Sequence, residues 1–249
     1  MKKLFYTICT LFFAFTLTGC TSFIELTANP DKSSDVKINI DLGEVLFNTM
    51  QSAFNSIAGL AEEKTNQELE LFNEEDIKKT IVQGDFTNAR VTVPSKTSFI
   101  IEGTLPSPSK QTSVINDNGV KIANFVNCQD KTLTLILSPE TITEFIKTLP
   151  QENQDITDLF MAPVFTGEQM TGEEYMDLIE SIYGAELAKE LKTAVVKVSL
   201  SCPKGHKIAK SSLSKTDISK TSETKVTFNM ALCDLLVLSN TKTFSINWN

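Results

Sequence analysis

Alternation of apolar and polar residues marks several short segments of the chain as strands. Two alternating runs, at residues 24–28 and 36–42, lie on either side of a turn at residues 29–32. A period of two on both sides of a turn predicts a β-hairpin with one buried face. Similar alternating or β-branched apolar runs predict further strands at residues 89–93, 99–101, 121–128, 132–137, 196–200, 226–230 and 244–248.

A second pattern, with apolar residues three and four positions apart, predicts a long helix over residues 43–63. Three more helices are predicted from their start signals. Asn73 precedes three acidic residues, and Ser138 precedes a proline and an acid. Thr171 stands three residues before Glu174, which is the spacing of a capping box.

The connections between these elements are rich in turn-forming residues. Residues 94–95 break the strands on either side of them, and residues 103–119 have the composition of a loop. Residues 203–224 are rich in Ser, Thr and Lys, which predicts a mobile connection. Strands at both ends of the chain with helices between them predict an α+β fold, in which a mainly antiparallel sheet is packed by several helices.

The first twenty residues have a different pattern. Lys2 and Lys3 form a charged start, residues 4–17 are almost entirely apolar, and the segment closes with Leu17-Thr18-Gly19-Cys20. This is the pattern of a secretory signal. About 14 apolar residues are too few for a membrane-spanning helix, which needs roughly 20.

The sequence Leu17-Thr18-Gly19-Cys20 closely resembles the lipobox of bacterial lipoproteins. The resemblance implies that residues 1–19 are removed as a signal peptide and that the Cys20 thiol receives a diacylglycerol. It also implies that the new amine is often acylated. Two or three acyl chains hold a protein on a membrane essentially permanently. We therefore expect one domain over residues 20–249, anchored through Cys20 on the extracytoplasmic side of the cell envelope, in the outer membrane or the cell membrane.

Charge narrows the choice of partners. The net charge is −8, and it becomes −10 when Lys2 and Lys3 leave with the signal peptide. Nucleic-acid binding favours a basic surface, so we expect no nucleic-acid partner. Arg90 is the single arginine of the chain, and the planar fork of arginine is the common means of recognising phosphate and carboxylate groups.

The cysteines and the histidine give little support for a metal site or a catalytic centre. Cys128, Cys202 and Cys233 remain after lipidation, and one disulfide plus a thiol or three thiols fit the sequence equally well. His206, the single histidine, lies four residues after Cys202. A zinc site usually needs three or four protein ligands, so we favour a strand-end cysteine beside a loop histidine. We expect no metal and no cofactor.

Catalytic motifs are also missing from the sequence. It contains no Gly-x-Ser-x-Gly elbow, no phosphate-binding glycine loop and no His-Glu-x-x-His. The many glutamates of residues 62–75 are typical of a solvated face. We therefore expect a protein that is not an enzyme, with no catalytic residues to assign.

Two segments are candidates for binding. Residues 204–225 carry a local charge of +4, and the candidate contact residues there are Lys207, Lys210, Lys215 and Lys220. Only a short tether separates Cys20 from the first hairpin, so we expect this segment near the membrane, where anionic lipid or an envelope protein would be its partner. The simpler interpretation is a solvated lysine-rich loop. The apolar residues 161–165 either line a ligand surface or pack on the core.

The order of these features is similar to that of the LppM-like domain family of bacterial envelope proteins. The similarity rests on Cys20 followed at once by the hairpin with its Asn29-Pro30-Asp31 turn, on the long helix, and on the closing strands over residues 225–248. It implies an envelope-associated α/β domain and supplies no catalytic residues.

The sequence thus leads to one functional hypothesis and two alternatives. The first is a lipid-anchored envelope lipoprotein that binds a partner or helps to organise the envelope without catalysis. The second is a lipoprotein that binds a small molecule or a lipid in a pocket between helices and sheet, which an apolar cavity with a few polar groups would favour. The third is a hydrolase, which ionisable groups clustered in a cleft would favour.

Overall fold

The fold is built on two β-sheets, one of seven strands and one of four. The computed structural model describes residues 21–60, 72–83, 86–108, 125–146, 160–212 and 218–249. The strands within these ranges are β1 (Thr21–Ala28), β2 (Ser34–Asp41), β3 (Thr87–Ser95), β4 (Ser98–Leu105), β5 (Val126–Gln129), β6 (Thr132–Leu137), β7 (Val195–Ser201), β8 (Ile208–Ser211), β9 (Ile218–Thr221), β10 (Lys225–Ala231) and β11 (Lys242–Trp248). The helices within them are α1 (Glu44–Leu60), α2 (Glu74–Gln83), α3 (Pro139–Ile146), α4 (Ala162–Thr166), α5 (Gly172–Tyr183), α6 (Ala185–Thr193) and α7 (Leu232–Leu236).

The strand order shows a mixed larger sheet and an antiparallel smaller sheet. The larger sheet has the order β3-β4-β2-β1-β7-β10-β9, and the smaller has the order β5-β6-β11-β8. Neighbouring strands are antiparallel except for β1 and β7, which are parallel. The predicted α+β fold with mainly antiparallel pairing is confirmed. The expectation of one sheet is wrong, because the C-terminal strands divide between two sheets.

The first hairpin forms as the alternating pattern predicts. Its turn is closed by a hydrogen bond from the Asn29 N–H to the Ser33 carbonyl oxygen, at 2.9 Å. The Asp31 carboxylate accepts hydrogen bonds from the N–H and the hydroxyl of Ser33, at 3.0 and 2.6 Å. These bonds hold Lys32 in a left-handed conformation, with φ of 67°. The turn residues therefore fix the register of β1 against β2.

The parallel pair β1–β7 joins two segments that are far apart in sequence. Its register runs from Thr21 opposite Val195 to Thr27 opposite Ser201. Leu26 and Leu200 lie opposite each other in this pair and are both fully buried. Parallel strands need a long crossover connection, and everything between residues 29 and 194 supplies it here.

One face of the larger sheet carries the core. The buried apolar side chains form one cluster that includes residues of both sheets. Phe228 of β10 contacts Phe244 of β11, with ring centroids 5.4 Å apart, so the two sheets meet through these rings. Helix α6 adds Leu187 and Leu191 to the same cluster. The smaller sheet and the helices therefore share a single apolar face.

The opposite face of the larger sheet is polar and partly exposed. Arg90, Glu102, Lys37 and Glu25 stand opposite one another on the four neighbouring strands β3, β4, β2 and β1. Lys37 pairs with Glu102 at 2.7 Å, and Lys225 reaches across β7 to Glu25, also at 2.7 Å. Side chains of alternating charge thus cover this face, which is the arrangement expected for a sheet with one solvated side.

Helix α1 is held to the rest of the domain by a carboxylate from helix α6. The two side-chain oxygens of Glu190 accept hydrogen bonds from the backbone N–H groups of Val45 and Leu46, at 3.2 and 2.8 Å. These N–H groups belong to the first turn of α1, which has no partner for them within the helix. A Cβ at Gly43 would overlap the carboxyl group of Glu190, so a larger residue there would displace this carboxylate from α1.

The predicted helix starts are confirmed. Asn73 Oδ1 accepts a hydrogen bond from the N–H two residues later at 3.0 Å, and Ser138 Oγ accepts one from the N–H three residues later at 3.1 Å. Thr171 and Glu174 form both bonds of the capping box. The helix predicted over residues 43–63 is described as far as Leu60, and its last three residues lie outside the described ranges.

The predicted connections need three corrections. The break between β3 and β4 falls at residues 96–97 instead of 94–95, because an edge strand accommodates Pro94. Gly103 lies within β4 and not in a loop, while residues 109–119 of that predicted loop lie outside the described ranges. The predicted mobile connection over residues 203–224 contains β8 and β9, because each pairs with a longer neighbouring strand.

The contact between Glu190 and helix α1 makes a testable prediction. We expect Glu190→Ala to lower the free energy of unfolding by about 1 kcal/mol, which is typical for the loss of a helix cap. Gly43→Ala should also cost about 1 kcal/mol, because its Cβ would displace the carboxylate from the two N–H groups. In the double variant the cost of Gly43→Ala should fall, since the carboxylate is gone. Lys189→Ala, on the exposed surface of the same helix, is the control. Costs that simply add in urea unfolding would contradict this contact.

Candidate functional site

The lysine-rich segment lies on an ordered framework of edge strands. β8 is the edge of the smaller sheet next to β11, and β9 is the edge of the larger sheet next to β10. Lys210 lies on β8 opposite Asn247, and Lys220 lies on β9 opposite Thr227. Lys215 and the side chain of Lys220 lie outside the described part of the structure. The segment therefore connects the two sheets.

Strand pairing fixes the position of this segment relative to the start of the domain. β1 and β7 both run from the end of the sheet that holds Thr21, and β10 begins opposite the end of β7, with Lys225 opposite Ser201. Lys204 and Lys207 follow β7 directly. Thr27 lies six positions after Thr21 on β1, which is about 20 Å at roughly 3.3 Å per residue. The segment thus begins at the end of the sheet opposite Thr21.

Backbone hydrogen bonds hold the segment at that end. The Cys202 N–H donates to the Thr224 carbonyl at 3.1 Å, and the Ile208 N–H donates to the Glu223 carbonyl at 2.8 Å. The Asn249 N–H donates to the Lys207 carbonyl at 3.2 Å. The lysine side chains between these bonds therefore project from a fixed backbone.

A fourth lysine joins this surface from another part of the chain. The Trp248 N–H donates to the Lys131 carbonyl at 3.1 Å, next to the bond between Asn249 and Lys207. Lys131 belongs to the β5–β6 turn, which is far from residues 204–225 in the sequence. It is therefore not among the candidate contact residues predicted from the sequence. The sequence shows only that Lys131 follows Asp130 in a turn between two strands, and this does not indicate which surface the lysine joins. We call the surface formed by Lys131, Lys204, Lys207 and Lys210 the basic end.

The charge of the basic end is only partly compensated. Lys207 pairs with Glu223 at 2.7 Å, and both side chains are more than half exposed. An exposed pair of this kind contributes little to stability. Lys204 and Lys210 are exposed and form no ion pair with any residue that the structure describes. The basic end can therefore attract an anionic group, and salt would weaken that attraction.

Cys202 and His206 lie close together, but their side chains do not face each other. The Cys202 thiol donates to the backbone carbonyl oxygen of His206, at 3.2 Å. The Nδ1 atom of His206 lies 2.5 Å from the main-chain oxygen of Asn249. The imidazole therefore contacts main chain instead of the thiol, as the favoured interpretation of this spacing expects. A nucleophile–base pair would need the two side chains in direct contact.

Burial of the three cysteines favours the neutral thiol over the thiolate. Cys128, Cys202 and Cys233 are free cysteines, so the alternative with three thiols holds. Burial raises the pKa of all three thiols above the ordinary value for cysteine. A raised pKa keeps the thiolate population low at neutral pH, and the thiolate is the reactive form. Within the described residues, no group of three or more His, Cys, Asp and Glu side chains is arranged to hold a metal ion.

The second candidate segment packs on the core. Met161, Pro163 and Val164 are buried, and residues 162–166 form helix α4. Phe160, just before this segment, accepts a hydrogen bond at its carbonyl oxygen from the buried Tyr175 hydroxyl, at 2.9 Å. Of the two interpretations of these apolar residues, the structure supports packing over an exposed ligand surface.

The predicted signal peptide over residues 1–19 and the lipidation site Cys20 lie outside the described ranges. The first described residue, Thr21, is the start of β1. No helix among the described residues has the length and hydrophobicity that crossing a membrane requires.

Comparison with solved structures finds a distant likeness. No protein-family model matches this chain, and no curated protein matches it. Among solved structures, the chain is similar to the folded domain of LppM from Mycobacterium tuberculosis, with a TM-score of 0.36 and 6% sequence identity. The match covers 92% of this chain and 90% of that domain. A likeness this weak does not assign the chain to a family.

Proposed function

We propose that this protein is a lipid-anchored lipoprotein of the bacterial cell envelope that binds an acidic partner through its basic end and does not act as an enzyme. The anchor is the lipid on Cys20, on the extracytoplasmic side of the membrane. The partner is an envelope protein with an acidic surface. The observation that supports this assignment is the parallel pairing of β1 with β7, since it separates the start of the domain from the basic end.

The distance between the two ends favours a protein partner over the anchoring membrane. Cys20 directly precedes Thr21, and neighbouring Cα atoms are about 3.8 Å apart. In our proposal, Cys20 is in the membrane and β1 runs away from the lipid surface. The basic end, at the far end of β1, is then about 20 Å from that surface. The potential of a charged membrane falls off within a Debye length, about 8 Å at physiological salt. Anionic lipid of the same membrane is therefore the less suitable of the two partners expected from the sequence.

The contacts of the candidate chemical groups support binding over catalysis. Cys202 and His206 are engaged with main-chain oxygens, and burial raises the pKa of the Cys202 thiol. The lysines of the basic end, by contrast, are exposed on a backbone fixed by strand pairing. Exposed charges of one sign speed the encounter with a partner of the opposite sign and orient it.

Lipidation is tested by metabolic labelling with a fatty acid. We expect the wild-type protein to incorporate the label and Cys20→Ala to lose it, because the lipobox leaves no other cysteine next to the cleavage site. Cys9→Ala, which changes a cysteine inside the signal peptide, is the control and should label normally. Equal labelling of wild type and Cys20→Ala would contradict the anchor.

The orientation on the membrane is tested with fluorophores on single introduced cysteines. We expect a label at Lys96→Cys, in the turn next to Leu42 at the Thr21 end of the sheet, to be quenched by head-group quenchers in vesicles. A label at Lys204→Cys, at the basic end, should be quenched much less. Both positions are exposed, so the labels themselves should not disturb the fold. Equal quenching at the two positions would contradict a basic end held away from the lipid.

The basic end is tested by replacing Lys131, Lys204, Lys207 and Lys210 with Gln. The thermal midpoint should change little, since these side chains are exposed. Binding to a polyglutamate probe at low salt should weaken about tenfold or more, and added salt should reproduce this loss in the wild type. The matched control replaces four exposed lysines elsewhere, Lys78, Lys79, Lys189 and Lys242. Equal weakening by both variants would mean that net charge alone matters and would contradict a specific surface.

A further inference from the structure

His206 is held within the basic end by its main chain and by its side chain. It closes a turn in which its N–H donates to the Pro203 carbonyl at 3.1 Å, and Gly205 takes a left-handed conformation with φ of 87°. The His206 carbonyl oxygen accepts a hydrogen bond from the Cys202 thiol at 3.2 Å. The Nδ1 atom of the ring lies 2.5 Å from the main-chain oxygen of Asn249. The imidazole therefore has a fixed position on this surface.

The hydrogen bond to Asn249 decides which ring nitrogen carries the hydrogen. A main-chain oxygen only accepts hydrogen bonds, so Nδ1 must be the donor. In the neutral imidazole, Nε2 is then the nitrogen without a hydrogen. Among the described residues Nε2 has no hydrogen-bond partner, and the side chain is half-buried. The ring can therefore take up a second proton at Nε2 while the bond from Nδ1 stays in place.

The charged groups around His206 come from three parts of the chain. Lys204 and Lys207 lie on either side of it in the same loop. Glu223, from the turn between β9 and β10, is paired with Lys207 at 2.7 Å. The Asp130-Lys131 turn packs on the end of β11, next to the bond that joins this strand to the loop. A positive charge on His206 would thus add to the charge of lysines that lie beside it.

His206 is also the single histidine of the chain. Imidazole is the side chain that ordinarily gains or loses its proton between about pH 5 and 8, whereas lysines and carboxylates ordinarily keep their charge over most of this range. We propose that uptake of a proton at Nε2 of His206 adds a positive charge to the basic end and strengthens its binding to an acidic partner as the pH falls. This regulation rests on the function proposed above, because the acidic partner must bind at the basic end.

The expected effect is that of one exposed charge. One additional charge pair on a surface should strengthen binding about two- to fivefold at low salt, and added salt should reduce this gain. Binding and proton uptake are linked, so a bound anion must also make the proton harder to remove. The imidazole should therefore titrate at a higher pH when an anion is bound.

The binding test uses the mature chain without a histidine tag, in a non-ionic detergent, and fluorescent dextran sulfate at low salt. The sulfate groups stay ionised, so only the protein changes its charge. We expect the wild type to bind about two- to fivefold more tightly at about pH 5.5 than at about pH 7.5. His206→Asn, whose amide can replace the Nδ1 donor, should bind with little dependence on pH. His206→Lys should bind at both pH values as tightly as the wild type does at the lower one.

Proton uptake itself is measured by NMR of the ring hydrogens, for which a single histidine gives one set of signals. We expect these signals to shift between about pH 8 and 5, and the midpoint of the shift to rise when dextran sulfate is added. This measurement needs only the wild type, so it does not depend on the folding of any variant.

The outcomes separate this regulation from the binding on which it rests. The regulation is overturned if wild-type binding does not change with pH, if His206→Asn keeps the pH dependence of the wild type, or if dextran sulfate leaves the NMR midpoint unchanged. The variant with the four lysines of the basic end replaced by Gln tests the binding surface. If the wild type binds no more tightly than that variant at either pH, the basic end is not a binding surface, and both proposals are overturned.

Discussion

The parallel pairing of β1 with β7 is the contact on which the rest of the structure depends. It places the first described strand at the centre of the seven-stranded sheet, with antiparallel strands added on both sides. Leu26, Val198 and Leu200 are fully buried in this central pair, so the core is built around it. The two strands are separated by most of the chain, and closing such a long loop costs conformational entropy that only extensive burial offsets. The centre of the sheet thus forms only when β1 and the distant strand β7 come together.

The larger sheet built around this central pair is buried on one face only. The apolar side of the larger sheet is occupied by helices and by the smaller sheet, and the polar side is covered by its own charged side chains. The ion pairs on the polar side are partly exposed, so each contributes at most about 1 kcal/mol. Glu190 has a different role, because its carboxylate replaces the missing hydrogen-bond partners at the start of α1. Stability therefore comes mainly from burial on the apolar side. The charged Glu190 side chain fixes how α1 is attached to α6.

The same pairing separates the start of the domain from the basic end. Thr21, the residue after the predicted lipid-anchored cysteine, starts β1, and the basic end lies beyond the far ends of β1 and β7. The lysine-rich segment, predicted from its composition to be a mobile connection, contains two edge strands with short, bulged pairing. Short and irregular edges resist the addition of further strands, so exposed charged side chains are the main surface feature of these edges. The hairpin of α5 and α6 has the opposite net charge, with six acidic residues and two lysines over residues 172–193.

The sequence by itself determined the local elements. The first hairpin follows from period-two alternation and its turn residues, and the helices at Asn73, Ser138 and Thr171 follow from capping groups within three residues of each start. It also identified Lys207 and Lys210 as parts of a charged surface. These features depend on neighbours in the chain, so the chain alone carries the information. Tertiary structure decided the division into two sheets, the strands β8 and β9, and the position of Lys131 beside Lys207. Polar segments such as residues 208–211 become strands only because a partner strand satisfies their backbone groups, and that partner is chosen by packing between distant segments.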